Sequence, residues 1–169
     1  MLYIILALFL VLFVFAGYIF FKVTKLKEIK NSLDICSNKI EDTLNKKHKI
    51  INDVLKKINN ARLTKEFEYK DSFTLQEKEK CLFDIGFSIN KYVNNHKDLD
   101  LNNELRELNY IEETLDGLKD FYNAHVLNYN EIFLKKYLNK IYRVFKFSDY
   151  KAFKIRKLEE YEIFKVLKN

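Results

Sequence analysis

The chain has 169 residues, of which 48% are hydrophobic and 32% charged, and its formal net charge is +6 at pH 7. This composition supplies both a packed core and a charged surface, which excludes a chain too polar to fold. Proline is absent and glycine occurs three times, and because these residues are the main helix breakers, long uninterrupted helices are expected. Cys36 and Cys81 form no disulfide framework or metal motif, so we interpret them as small core residues, with a single disulfide between them as the alternative.

The first 21 residues, MLYIILALFLVLFVFAGYIFF, form an apolar segment without a charged side chain. As a helix that rises 1.5 Å per residue, the segment is about 31 Å long, which matches the roughly 30 Å hydrocarbon core of a bilayer. Tyr3 and Tyr18 lie near its two ends, where amphipathic rings favour the membrane interface. The sequence therefore predicts a transmembrane helix over residues 1–21 and a helical-bundle domain over residues 22–169.

A cleaved signal peptide is the alternative for this segment, with residues 14–16 as the cleavage site. However, no Lys or Arg precedes the apolar run, and the run continues to Phe21. Residues 15–17 resemble the start of a lipobox, the motif that precedes a lipidated cysteine. Tyr18 stands where that cysteine would be, so lipidation at this position is excluded. The pattern therefore favours a retained anchor.

The orientation of the anchor follows from the charges on its carboxyl-terminal side. Four lysines follow it closely and are opposed only by Glu28: Lys22, Lys25, Lys27 and Lys30. By the positive-inside rule, the amino terminus lies outside the cell membrane and the helical domain lies in the cytoplasm.

A long helix is predicted after the anchor, because apolar residues recur there at steps of three and four. No breaker separates this helix from the apolar segment, so we expect the two to be continuous. The stripe is interrupted at Lys47 and departs from a strict heptad, which favours packing within the chain's own bundle over a supercoiled dimer. The stripe consists of Leu26, Ile29, Leu33, Cys36, Ile40, Leu44, Ile51, Val54 and Ile58.

Further helices follow a connection over Arg62–Ser72, which carries little pattern. Thr74 and Glu77 have the spacing of a capping box and begin a second helix that runs to about Val93. A polar turn over residues 94–100 separates it from a third helix. The inward residues expected in these two helices are Leu75, Leu82, Ile85, Ile89 and Val93, then Leu101, Leu105, Leu108, Leu115, Tyr122, Val126, Tyr129 and Phe133.

The predicted fold is all-α: one N-terminal transmembrane helix continues into an antiparallel bundle of three long helices plus a C-terminal helical segment. The last segment combines an aromatic stretch over Ile141–Phe153 with an amphipathic helix over Ile155–Leu167. In the simplest arrangement the second helix descends along the first. Lys46 and Lys47 then face Asp98 and Asp100, and Tyr122 and Tyr129 lie at the far end beside residues 62–72.

Three local patterns extend along the chain. Lys46, Lys47 and His48 form a basic pair followed by histidine within residues 44–55. Phe145-Lys146-Phe147 precedes Phe153. The most specific pattern is Ile111-Glu112, then Phe121-Tyr122-Asn123, Val126 and Tyr129-Asn130, without a gap.

On these patterns the chain resembles the LemA family over nearly its whole length, except residues 62–76. The resemblance implies a single-pass bacterial membrane protein with a helical-bundle domain and no established biochemical activity.

Two groups of residues are candidates for an interaction motif. For Lys46, Lys47 and His48 we expect a solvated face whose stems pack over apolar neighbours, with contact to an anion or an acidic partner as the alternative. Four residues at heptad spacing form the second group, in which we expect a buried polar seam that fixes helix register, with a ligand or partner site as the alternative. They are Tyr122, Asn123, Tyr129 and Asn130.

No catalytic set is evident in the sequence. His48, His96 and His125 do not have metal-ligand spacing, and Glu112 and Glu113 are adjacent, so they point apart on a helix. We therefore predict no enzyme activity, no cofactor, no metal and no small-molecule substrate. The lysines are spread among acidic residues, so we predict no nucleic acid. The expected partners are the lipid bilayer and an unidentified protein.

The function that fits this pattern is a non-enzymatic, membrane-anchored scaffold or interaction module. The alternative is a subunit of an envelope transport or quality-control assembly, packed through its transmembrane helix. The apolar segment has Ala7, Ala16 and Gly17 as its small residues and no small-xxx-small pair, so it has the character of an anchor rather than of a helix–helix interface.

Overall fold

A computed structural model describes residues 1–96, 99–135 and 138–153, and every regular element within these ranges is a helix. The predicted all-α class is therefore confirmed. The predicted amphipathic helix over Ile155–Leu167 lies outside the described residues. The elements are α1 (Leu2–Ile58), α2 (Ala61–Glu66), α3 (Leu75–Asn95), α4 (Asn102–Phe133) and α5 (Asn139–Val144).

Helix α1 is continuous from the apolar segment into the amphipathic stripe, as the absence of breakers predicts. It ends at Ile58, where Asn59 adopts a left-handed conformation with φ 49° and donates its amide to the carbonyl of Leu55 at 3.0 Å. Asparagine tolerates this conformation better than most residues. A pair of asparagines therefore ends the helix, because Asn60 accepts the Leu63 amide at the start of α2.

The apolar patterns of the sequence predict the core closely. All nine stripe residues of α1 are buried, and so are all eight inward residues expected from Leu101 to Phe133. In α3, Leu82, Ile85 and Ile89 are buried, whereas Leu75 and Val93 near its ends are half-buried. Helical periodicity thus identifies the packed faces, and the two exceptions among the predicted positions fall where α3 begins and ends. Leu55, Leu63, Ile111 and Ile132 are buried as well, although the predicted stripes did not include them.

The described residues form two compact units. The first unit comprises Met1–Ile35 and Tyr122–Ala152, and the second comprises Cys36–Phe121 and Phe153. Tyr122 and Tyr129 therefore group with the start of the chain, whereas residues 62–72, beside which they were expected, belong to the second unit.

Within the second unit, α1 and α4 are antiparallel. The Cys36 thiol donates to the carbonyl of Leu118 at 3.4 Å, Lys47 pairs with Glu112, and Lys57 pairs with Glu104. Residues further along α1 thus meet residues progressively earlier in α4.

Helix α3 runs parallel to α1 in the second unit, which corrects the predicted descent. Near its first turn, Lys78 pairs with Glu41 of α1 at 2.9 Å. Its end is joined to α4 by a short connection, close to where Glu104 meets Lys57. Lys47 consequently faces Glu112 rather than Asp100. Asp98, its other predicted neighbour, lies outside the described residues.

The connection between α1 and α3 explains this direction. It contains the short helix α2, which the sequence did not indicate, and then residues 67–70 without helical structure. The Tyr69 hydroxyl lies 3.5 Å from the amide oxygen of Asn45, so the connection runs back along α1. An extended residue advances about 3.3 Å, against 1.5 Å in a helix, so a few residues return the chain to Glu41.

The predicted capping box at the start of α3 is confirmed. The Thr74 amide donates to the Glu77 carboxylate at 2.8 Å, and the Glu77 amide donates to the Thr74 hydroxyl at 3.4 Å. These reciprocal bonds satisfy two amides that the helix itself leaves unpaired.

Candidate functional site

The most buried of the candidate residues is Lys47. It occupies a position in the apolar stripe of α1, and its side chain is 2% exposed. Its ammonium group pairs with Glu112 of α4, whose side chain is 10% exposed. The prediction of a solvated Lys47 is therefore wrong, because an opposite charge on the facing helix compensates its burial.

Lys119 forms a second buried ion pair in this unit. Its side chain is 4% exposed and lies 3.2 Å from Glu79 of α3 and 2.8 Å from Asp116 on its own helix. Burial disfavours the charged form of Lys119, but the hydrogen bond that its ammonium donates to Asp116 and the nearby charge of Glu79 outweigh this effect and raise its pKa. The pair of Lys119 with Glu79 thus links α4 to α3, as the pair of Lys47 with Glu112 links α1 to α4.

His48 packs against the returning connection. Its ring stacks on Tyr69 with centroids 4.0 Å apart and lies 5.6 Å from the ring of Phe67. Burial lowers the pKa of His48 below its usual value, which favours the neutral ring at neutral pH. Lys46 is exposed, so the three residues of the predicted basic step have three different environments and do not form one cationic surface.

The tyrosines of the seam lie in the first unit. Tyr122 and Tyr129 are buried at 6% and 0% exposure, and Asn123 is buried at 7%, as a seam requires. The Tyr129 hydroxyl forms no regular hydrogen bond within the described structure. Desolvation raises the pKa of Tyr129 to about 12.

Asn130 fixes the non-helical segment that ends the first unit. Its amide nitrogen donates to the carbonyl of Tyr150 at 3.0 Å, and its amide oxygen accepts the Tyr150 amide at 3.5 Å. The Tyr150 hydroxyl in turn donates to Asp34 of α1 at 3.1 Å, and its ring meets Tyr129 edge-on at 4.9 Å. The side chains of Tyr129 and Asn130 thus position the segment after α5.

A shallow groove of about 460 Å³ lies in the second unit, between the connection and α3. Apolar and charged side chains both line the groove, and its acidic residues outnumber its single lysine. They are Phe67, Phe73 and Ile85, then Glu68, Glu77 and Asp84, and Lys80. This acidic and apolar surface contrasts with a chain whose net charge is +6. Its chemistry suits contact with a basic, partly apolar segment of another protein.

Among the described residues, no group of three His, Cys, Asp or Glu side chains could hold a metal ion. Cys36 and Cys81 are both free thiols, and burial raises the pKa of each, which disfavours the nucleophilic thiolate.

Sequence reasoning missed the partners of two candidates, Glu112 for Lys47 and Tyr150 for Asn130. A signal existed for Glu112: it follows Leu108 by four residues and precedes Leu115 by three, so it occupies the apolar face of α4 as Lys47 does that of α1. No comparable signal existed for Tyr150, because it lies in a segment without periodicity.

No protein-family model, no curated protein and no solved structure matches this chain. The resemblance to the LemA family therefore stays a prediction from the sequence patterns.

Removing one member of the Lys47 pair is expected to destabilise the protein strongly. Glu112→Ala leaves the Lys47 charge buried without its partner and should lower the free energy of unfolding by about 3–5 kcal/mol. The double variant Lys47→Met/Glu112→Leu should recover most of this loss. Thermal unfolding of the full chain in detergent measures both, and Lys56→Ala, which breaks the exposed pair with Asp53, is the control. Equal stability of Glu112→Ala and Lys56→Ala would contradict the pair's importance.

Tyr129 should contribute to stability through its ring and not through its hydroxyl. Tyr129→Ala is expected to cost about 3–5 kcal/mol because it removes a large buried ring, whereas Tyr110→Ala, at a position 71% exposed, should cost little. Tyr129→Phe should preserve stability at neutral pH. An unchanged melting temperature for Tyr129→Ala would mark the residue as a surface site.

The hydroxyl of Tyr129 also predicts that the protein and its Tyr129→Phe variant differ in stability at alkaline pH. Its pKa is raised from 10.0 to about 12 in the folded state, so the folded chain holds this proton more tightly than the unfolded chain. The free energy of unfolding therefore falls as pH rises from about 10 to 12, because the unfolded chain releases this proton first. Tyr129→Phe should reduce the fall in melting temperature over that interval.

Proposed function

We propose that the protein is a non-enzymatic, membrane-anchored helical interaction module of a bacterial cell membrane. The observation that carries this proposal is the exposed apolar start of α1, which has a mean hydropathy of 2.9 and is not buried by any other part of the described structure. The chain thus contains a helix long and apolar enough to span a membrane. Apolar surface of this extent is costly in water, and the hydrocarbon core of a bilayer covers it.

In the proposed orientation the amino terminus lies outside and the helical domain lies in the cytoplasm. The support comes from Lys22, Lys25, Lys27 and Lys30, which follow the apolar segment and remain on the cytoplasmic side under the positive-inside rule. The Lys22 ammonium lies 5.6 Å from the ring centroid of Tyr18. An aromatic ring and a lysine together are typical of the end of a span at the membrane interface.

The interaction role is supported by the division of the polar residues between core and surface. The buried ion pairs are paired within the bundle, so they are not available to a substrate. The groove beside α3 combines apolar side chains with Glu68 and Glu77, which favours a basic segment of a protein partner. The bacterial membrane setting is supported by the resemblance of residues 111–130 to the LemA pattern.

The anchor and its orientation are tested in one set of membranes. The full chain should stay in the membrane fraction after an alkaline carbonate wash, because the apolar segment is held by the hydrocarbon core. With Cys36 and Cys81 replaced by alanine, an impermeant maleimide on intact cells should label Leu2→Cys and not Asp71→Cys. Both should be labelled after permeabilisation. Release by carbonate would refute the anchor, and the reverse labelling would refute the orientation.

Exchanging the span distinguishes the proposed function from the alternative, in which the span packs within an envelope assembly. Residues 3–21 of the full chain are replaced by an unrelated apolar segment of equal length, and co-purified proteins are compared by mass spectrometry. Under our proposal the partners are retained, and Phe73→Asp in the groove removes them. Loss of all partners on exchanging the span would instead support the envelope assembly. Tyr110→Asp is the matched control for a charge placed at an exposed aromatic position.

A further inference from the structure

The segment around α5 exposes two adjacent apolar residues, although three other apolar residues of the segment are buried. In this segment, the α5 elbow (residues 138–147), Leu138, Tyr142 and Phe147 are buried. Val144 and Phe145 are instead 81% and 55% exposed. Single exposed apolar residues are ordinary, but here the backbone holds two of them together.

The backbone of the elbow fixes this exposure. The Phe147 amide donates to the Tyr142 carbonyl at 3.1 Å, and the Lys146 amide donates to the Arg143 carbonyl at 3.0 Å. Lys146 adopts the left-handed conformation, with φ 60°. This is a Schellman motif, completed by the edge-to-face contact of Tyr142 with Phe147 at 6.4 Å. The helix end is thus closed, and Val144 and Phe145 lie outside its apolar contact.

The elbow lies at the end of the apolar span within the first unit. A series of stacked rings connects α4 to the elbow. The ring centroids of Tyr129 and Phe133 are 5.9 Å apart, and those of Phe133 and Tyr142 are 6.3 Å apart. Burial raises the pKa of Tyr142, and the phenol of Tyr18 contributes to this increase. Tyr18 and the adjacent Lys22 mark the membrane interface in the proposed anchor, which brings the elbow to the same level.

The charge of this part of the chain matches an anionic membrane surface. Residues 132–148 contain no acidic residue and five basic ones, namely Lys135, Lys136, Lys140, Arg143 and Lys146. Basic residues beside a bilayer are attracted to anionic head groups, and adjacent apolar residues insert at the boundary of the acyl chains.

We propose that the α5 elbow is a second membrane contact, in which Val144 and Phe145 enter the head-group region and Lys140, Arg143 and Lys146 bind anionic phospholipids. The inference rests on the proposed anchor, which brings the elbow to the bilayer. It adds a lipid preference that the apolar span alone does not provide. The contact also covers the two exposed apolar residues that the first unit leaves in water.

The absence of tryptophan from the chain allows a direct test. Full-length Phe145→Trp is reconstituted into vesicles of phosphatidylcholine alone, or of equal parts phosphatidylcholine and phosphatidylglycerol, with bromine on the acyl chains as quencher. We expect emission shifted to shorter wavelength, quenching by the bromolipids and protection from aqueous iodide, all stronger in the anionic vesicles. Tyr110→Trp, an exposed position in the second unit, should show the opposite pattern and serves as control.

The lipid preference is tested with the charges reversed. Lys140→Glu/Arg143→Glu/Lys146→Glu in the Phe145→Trp background should lose the gain in bromolipid quenching that phosphatidylglycerol produces, while far-ultraviolet circular dichroism stays unchanged. Equal quenching in both vesicles for the unreversed protein would overturn the lipid preference. Iodide quenching at position 145 equal to that at position 110 would overturn the contact itself.

A carbonate wash of the same vesicles separates this inference from the anchor. Protein that resists the wash but shows iodide-accessible tryptophan at position 145 retains the anchor and overturns the elbow contact. Protein released by the wash overturns both. Retention together with bromolipid quenching supports both.

Discussion

Lys47 and Glu112 carry opposite charges in the interior of the second unit, and each charge is tolerated there because the other faces it. Taking a charge out of water costs several kcal/mol, and a misaligned partner does not compensate it. Apolar side chains along α1 and α4 could pack in more than one register, since the hydrophobic effect has no direction. The ion pair selects the register in which Lys47 meets Glu112, and Cys36 with Leu118 and Lys57 with Glu104 follow from it.

The position of α3 depends on that register and on the path of the chain after Ile58. Once α1 and α4 are aligned, Lys119 is placed to meet Glu79, and Lys78 meets Glu41. The connection must return along α1 to make these contacts. It does so through α2 and the stacking of Tyr69 on His48. A parallel α1 and α3 thus results from a returning connection, where a tight turn would have made the two helices antiparallel.

The first unit is organised by aromatic rings instead of buried ion pairs. Tyr129 contacts Phe133 and Tyr150, and Phe133 contacts Tyr142, while Asn130 bonds the backbone of Tyr150. Rings pack over a large area with few polar atoms that need partners, which suits a unit that contains the apolar start of α1. The basic, apolar elbow thus lies in the unit that contains the proposed anchor, and the acidic groove lies in the other unit.

The sequence by itself determined the helical class, the continuity of α1, the capping box at Thr74 and most of the buried apolar positions. Each of these follows from a local feature of the sequence, namely the periodicity of apolar residues, the capping residues or the absence of helix breakers. It also identified Tyr122, Asn123 and Tyr129 as buried, because they extend a stripe already defined by Leu108 and Leu115. Only the tertiary structure decided that Lys47 is buried, that α3 is parallel to α1 and that Asn130 holds Tyr150. In all three the deciding partner is remote in sequence, and local patterns carry no information about which remote groups meet. A charge in an apolar stripe looks like an interruption until the facing helix supplies its counter-charge.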